Sequence, residues 1–223
     1  NLHADPTRRA CTPPRGALSS QRVAASKHAC ACASSLAAST HTGAMASPDE
    51  AFDAALRRAG AVRVANYTQL FGAAKYLSSR FRPVGHHLAI VTNGGGPGVM
   101  AVDRATESGL AMAEFAPDTV KTLDELLPQS WSRGNPVDVL EDAGPERFRR
   151  ALDACLSDPG TDGVVAIVTP QAMTDTAAVA KAIAETSTAH YKPLIACFMG
   201  EATVAGPRQS LQAAGVPTFR SPD

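Results

Sequence analysis

From residue 87 onward, short apolar runs alternate with stretches whose apolar positions recur every three or four residues. The first kind of pattern suits buried strands and the second amphipathic helices. The runs His87–Thr92, Leu110–Ala113, Pro136–Leu140, Val164–Thr169, Pro193–Phe198 and Val216–Phe219 read as strands. Helices are expected between them at Pro97–Ser108, Pro117–Leu127, Pro145–Leu156, Asp175–Thr186 and Thr203–Ala214. Gly109, Pro128, Asp158-Pro159-Gly160 and Gly215 supply the stops. Upstream, Ser47-Pro48-Asp49-Glu50 forms a capping box with proline at the first helical position. That helix turns Phe52, Ala55, Leu56 and Ala59 inward and ends at Gly60. A short strand at Val62–Val64 and a helix from Thr68 to about Arg80 follow, the latter with Leu70, Phe71, Ala74 and Leu77 inward.

Strands alternating with helices of this length build a parallel sheet covered on both faces. Continuous apolar strands such as Val164-Val165-Ala166-Ile167-Val168 need that double burial. The expected fold class is therefore α/β. Residues 85–223 form a flavodoxin-like, doubly wound parallel sheet in three α/β/α layers, preceded by the C-terminal part of a second α/β domain at 37–84. The linker Arg82-Pro83-Val84-Gly85 marks the boundary. Residues 1–36 show neither period and read as a poorly ordered or non-native segment. They are rich in Arg and Ser and poor in acids, which also fits a transit peptide, although the chain starts at Asn1 rather than Met. Both ends look cut, as in a piece of a longer protein.

Composition narrows the classes. With 44% apolar and 19% charged residues and a formal net charge of zero, nothing favours nucleic acid or an anionic membrane as partner. No apolar run reaches the length of a membrane span. Cys155 and Cys197 sit in apolar surroundings, as core thiols of a reducing, cytoplasmic location do. His28, Cys30, Cys32 and His41 lack metal-ligand spacing, so no metal site is expected.

In such sheets ligands collect at the carboxyl ends of the strands. Three strand ends are chemically distinctive: Asn93-Gly94-Gly95-Gly96, Thr169-Pro170-Gln171-Ala172-Met173 and Phe198-Met199-Gly200. Gly134-Asn135-Pro136-Val137-Asp138 can join them. The glycine run matches neither the dinucleotide fingerprint nor a P-loop. It is either a tight strand-to-helix turn or an anion cradle made of bare amides and the helix dipole. His41 lies among Ser39, Thr40, Thr42, Gly43 and Ala44, where an imidazole is either idle on an exposed loop or placed to react. Paired with the glycine run, it points to phosphoryl transfer through a phosphohistidine. Asp138 either orients its loop or binds ligand, and Trp131 reads as a loop anchor. Arg147, Arg149 and Arg150 read as a solvated helix face, and His86-His87 as surface.

Ser39-Thr40-His41-Thr42-Gly43-Ala44-Met45, followed by Asp49-Glu50-Ala51-Phe52, resembles the phosphohistidine loop and next helix of the ADP-forming acyl-CoA synthetases, acetate–CoA ligases of the succinyl-CoA synthetase superfamily. Leu88–Val99, Gly134–Val139, Thr169–Asp175 and Lys192–Gly200 extend the resemblance in order, from about residue 37 to the end. It implies that His41 is the catalytic phosphoryl carrier. Asn93, Gly94, Gly95 and Gly96 would bind phosphate, and Asn135, Asp138, Pro170 and Gln171 would lie at the substrate. ATP/ADP, CoA and Mg2+ are then the complete enzyme's cofactors, none held by this piece alone. Its partners are an ATP-grasp module, a CoA-binding domain and a small carboxylic acid. Ala29, Cys30 and Ala31 replace the family's usual Gly-Arg-Ser step, and no upstream glutamate is found to steady the histidine. The chain by itself is not expected to turn over. The resemblance leaves two other readings: a ligand-sensing module like that fused to a protein acetyltransferase, and a docking module for the ATP-grasp partner. Retention of His41 favours the synthetase.

Overall fold

The computed structural model describes residues 49–82 and 84–222. His41, the Ser47-Pro48 half of the capping box and the whole of the 1–36 segment lie outside them. The chain divides into two compact units between Leu70 and Phe71, upstream of the linker expected at Arg82–Gly85.

The described part of the first unit begins with α1 (Asp49–Arg58), which ends before Gly60 at φ 69°. Phe52 and Leu56 are half-buried, while Ala55 and Ala59 are exposed. Arg63 folds back onto the carboxylate of Asp49 at 2.5 and 2.9 Å. The strand expected at Val62–Val64 is reduced to a single bridge residue, Val64. The next helix, α2 (Tyr67–Leu77), carries the chain into the second unit. It starts with a reciprocal cap absent from the sequence reading. Asn66 Oδ1 accepts from Gln69 N at 2.9 Å, and Gln69 Oε1 accepts from Ala65 N at 2.8 Å. Phe71, expected inward, is 70% exposed.

The second unit is the doubly wound sheet. Its strands are β1 (His87–Thr92), β2 (Ala111–Met112), β3 (Val137–Asp138), β4 (Gly163–Val168), β5 (Leu194–Phe198) and β6 (Thr218–Phe219). Its further helices are α3 (Gly95–Glu107), α4 (Pro117–Leu126), α5 (Pro145–Ser157), α6 (Thr176–Ala189) and α7 (Ala202–Ala213). All pairings are parallel, in the order β2-β1-β4-β5-β6. The short β3 also pairs with β1, beyond β2 on the same edge: β2 meets His87 and Leu88, and β3 meets Val91 and Thr92.

Side chains of successive strand residues point to opposite faces. Ala89, Val91, Val164, Ala166, Val168, Leu194, Ala196 and Phe198 meet Leu123 of α4, Phe148 and Leu152 of α5, Ile183 of α6 and Leu211 of α7. Ile90, Ile167 and Cys197 meet Ala101 of α3 on the other face. The three layers follow from this alternation. Cys155 and Cys197 are both buried, and burial pushes the Cys155 thiol up. Among the described residues no helix is long and apolar enough to cross a membrane.

Helix ends moved by up to three residues: α2 stops at Leu77 and α6 runs on to Ala189, while α3 moved at its start. It starts at Gly95, so Pro97 falls inside the first turn, where the missing N–H has no helical partner in any case. Trp131 is buried and donates from Nε1 to Asp124 Oδ1 at 2.9 Å, anchoring its loop as expected. His86-His87 is more than plain surface. Asp162 Oδ2 accepts from His87 N and faces His87 Nδ1, both at 2.9 Å. These bonds hold the Asp162 carboxyl below its usual range.

Candidate functional site

The winding direction reverses at β1. The α3 crossover leads to β2 on one side, and the α5 crossover leads past β1 to β4 on the other. A crevice is expected at the carboxyl ends of the two strands flanking such a reversal. Those ends are Thr92-Asn93-Gly94 and Val168-Thr169-Pro170.

Three bonds close them together, and a fourth reaches on to Thr174. Asn93 is 2% exposed, and its Oδ1 accepts from Thr169 N at 2.8 Å and Thr169 Oγ1 at 3.0 Å. Its Nδ2 donates to Thr169 O at 2.9 Å and Thr174 Oγ1 at 3.4 Å. Both ends of the Asn93 carboxamide are thereby engaged, so it shapes the crevice by tying β1 to β4. Thr92 Oγ1 bridges the turn, accepting from Gly94 N at 3.0 Å and donating to Gly94 O at 2.9 Å.

The glycines have separate reasons. A Cβ on Gly94 would stand 3.0 Å from Thr169 Oγ1, and one on Gly98 3.0 Å from Thr92 Cγ2. These two permit close approach of loop to loop and of helix to strand. A Cβ on Gly95 would lie 3.6 Å from Asp138 Oδ2, and one on Gly96 would meet nothing within 4 Å. Packing therefore does not demand a glycine at 96. Gly95 and Gly96 are exposed, and their amides precede the first helical bond, Gly98 N to Gly94 O at 3.1 Å. Bare amides at the positive end of a helix suit an oxyanion.

Asp138 reaches this end from β3. Its Oδ1 accepts from Leu140 N at 2.8 Å, while Oδ2 faces Gly95. Leu140 lies at φ 68°, a left-handed conformation that a branched, non-glycine residue seldom takes. Pro170 and Gln171 are exposed on the β4–α6 loop, where Gln171 Nε2 donates to Thr169 Oγ1 at 3.4 Å.

Asn135 does not join this group. Its Oδ1 accepts from Ile90 N at 3.0 Å, and its Nδ2 donates to Leu88 O at 2.7 Å and Ala113 O at 3.2 Å. The amide fills the gap between β2 and β3 on the β1 edge. Its peptide bond to Pro136 is cis. On the solvated face of α5, Arg149 pairs with Glu146 at 2.5 Å and with Asp153 at 2.9 Å.

One residue at these strand ends escaped the sequence reading. Arg208 of α7, 8% exposed, donates to the carbonyls of Phe198, Gly200 and Glu201. Only a lone basic residue in an otherwise small-residue helix hinted at it. No cluster of three or more metal-ligating side chains occurs among the described residues.

Residues 9–77 match the succinyl-CoA ligase-like flavodoxin domain, and residues 88–222 match the Ligase-CoA domain. The ADP-forming acetate–CoA ligase I of Archaeoglobus fulgidus is 39% identical over 186 residues, covering 83% of this chain and 26% of that protein. The alpha subunit of ADP-forming acetate–CoA ligase II from Pyrococcus furiosus is 31% identical, over 85% of this chain and 42% of that one. Among solved structures, the dinucleotide-forming acetyl-coenzyme A synthetase 1 of Ca. Korarchaeum cryptofilum, in complex with phosphate and ADP, superposes with a TM-score of 0.78. It is 25% identical, and the match covers 84% of this chain and 41% of that one. The chain thus spans between a quarter and about two fifths of these relatives. With a doubly wound sheet matched over residues 88–222 and a match to the succinyl-CoA ligase-like flavodoxin domain ahead of it, the chain belongs to the Ligase-CoA domain family.

Proposed function

We propose that the chain is part of an ADP-forming acid–CoA ligase, which makes acyl-CoA from a carboxylic acid, CoA and ATP through a phosphohistidine at His41. The observation that carries this reading is the pair of bare amides, Gly95 and Gly96, at the switch-point crevice of a Ligase-CoA domain. In the proposed relay a His41 ring nitrogen attacks the γ-phosphorus of ATP and ADP leaves. A carboxylate oxygen of the acid then takes the phosphoryl group, freeing the imidazole. The CoA thiolate attacks the acyl carbon and phosphate leaves.

The described residues serve the charged stages of this relay. The α3 N-terminus stabilises phosphoryl charge, by about 0.3 to 2 kcal/mol per charge for such a helix end. Asn93 and Thr169 hold the two loops at a fixed spacing. Gln171 lies on the Thr169 side of the oxyanion, and Asp138, near Gly95, orients the loop after β3 by accepting from Leu140 N. Magnesium arrives with the nucleotide. Nucleotide binding falls to an ATP-grasp partner and CoA binding to a separate domain, with the whole assembly in the cytoplasm.

The test is acid-labile phosphorylation. The chain is mixed with Mg-ATP and the ATP-grasp partner, and the label is mapped by mass spectrometry beside His41→Ala. Label on His41 that the variant loses is the expected result. Absence of label there, in the presence of a full-length parent that does label, shows that this piece cannot work alone. A parent that takes no label at His41 refutes the ligase mechanism.

A further inference from the structure

A buried helical position is usually apolar, because an arginine there must recover the hydration it gives up. Arg208 recovers it from one short segment. Its Nη1 donates to Phe198 O at 3.1 Å and Gly200 O at 2.8 Å, and its Nη2 to Glu201 O at 3.3 Å. Phe198 ends β5, and Gly200 and Glu201 lie in the turn that joins it to α7. Its contact with the Glu201 carboxylate is longer, 3.8 Å, and Glu201 is shared with exposed Arg220. The turn therefore owes its conformation to main-chain bonds from a buried cation.

That turn borders the crevice. Met199 N donates to Val168 O at 3.0 Å, which sets it beside the end of β4. Gly200 lies at φ 102°, a conformation open to glycine at little cost. A Cβ on Gly200 would stand 3.5 Å from the Pro170 ring. The path then runs from Pro170 to Thr169, which Asn93 fixes against Gly94. A costly buried polar group whose bonds all converge on one loop marks a place where local stability yields to another demand.

We propose that Arg208 is a positioning residue of the crevice. It holds Gly200 behind Pro170, so that the Thr169–Gln171 loop stays in the one conformation that receives an oxyanion beside the α3 N-terminus. The oxyanion is a phosphoryl group or a substrate carboxylate. This inference rests on the reading that the crevice takes an anionic ligand.

Inorganic phosphate and acetate are the probes, titrated separately into the 15N-labelled chain while amide shifts are followed. Arg208→Met keeps the apolar stem and removes the donors. Arg208→Lys keeps the charge and three donors but loses the planar guanidinium fork. Phosphate is expected to shift Gly95, Gly96 and Gln171 in the unaltered chain. Arg208→Met should weaken binding about tenfold, the loss of about 1.4 kcal/mol, and Arg208→Lys should restore part of it. A loss confined to acetate assigns the loop to the carboxylate; one confined to phosphate assigns it to the phosphoryl group. A variant that melts lower yet binds both probes normally overturns the proposal and leaves Arg208 a purely structural residue. If Arg208→Met does not fold, Arg208→Lys is judged by the same comparison. Shifts at Gly95 and Gly96 without any at Gln171 overturn the proposal but spare the phosphoryl reading. No shift at any of these amides sinks both.

Discussion

Replacing Asn135 by alanine separates a strand-edge role from a substrate role. The side chain serves three main-chain groups: Ile90 N, Leu88 O and Ala113 O. Leu88 O also accepts from Ala113 N at 2.9 Å, so it keeps a partner when Asn135 is removed. Ile90 N loses the partner at 3.0 Å that faces the β2–β3 gap, inside a fully buried residue. An unsatisfied buried group costs about 1 to 3 kcal/mol. With the two lost donor bonds added, and water admitted because Asn135 itself is half-buried, the expected loss is about 3 kcal/mol. For a unit of this size each kcal/mol lowers the melting temperature by about 2 to 4 °C, so a drop of about 6 to 12 °C follows. Circular dichroism melts and urea titrations measure it directly. Phosphate binding by the folded variant should be nearly unchanged. A variant that melts within about 2 °C of the parent but no longer binds phosphate would refute the edge-filling role and return Asn135 to the ligand.

Gly94→Ala should weaken both stability and phosphate binding, because its methyl presses on Thr169 at 3.0 and 3.1 Å; titration calorimetry beside a melt reads both, and a neutral result removes the close-approach argument. Gly96→Ala meets open space, so it should raise stability by about 0.5 to 1 kcal/mol, and a large destabilisation would contradict the geometry. Asp162 has a depressed folded pKa, so its contribution is present above the unfolded value of about 3.9 and is lost as pH falls through the lower folded value. Asp162→Asn should therefore flatten the fall of the urea midpoint below about pH 4, and an acid limb identical to the parent's would show that the His87 clasp contributes nothing.

The order of elements was legible because it is written locally. Apolar period, prolines at helix starts and glycines at helix ends all act within a few residues, and they located β1, β4, β5 and the helices around them. So was the crevice, since a parallel sheet has its ligand end by topology and the glycine run had to lie there. The structure decided what the side chains at that end do. Asn93 and Asn135 look alike in sequence, each a polar residue in a glycine- or proline-rich loop. One amide ties together the ends of two central strands, and the other seals an edge left open because β2 and β3 share it. The partners lie 76 and 45 residues away, beyond the reach of any local pattern. Arg208 is the same case: on a helical wheel it is a misplaced cation, and only the turn folded over it supplies the carbonyls that justify its burial. Hydrophobic periodicity specifies where chain segments are buried, but a buried polar group is specified by whatever backbone tertiary packing brings to it.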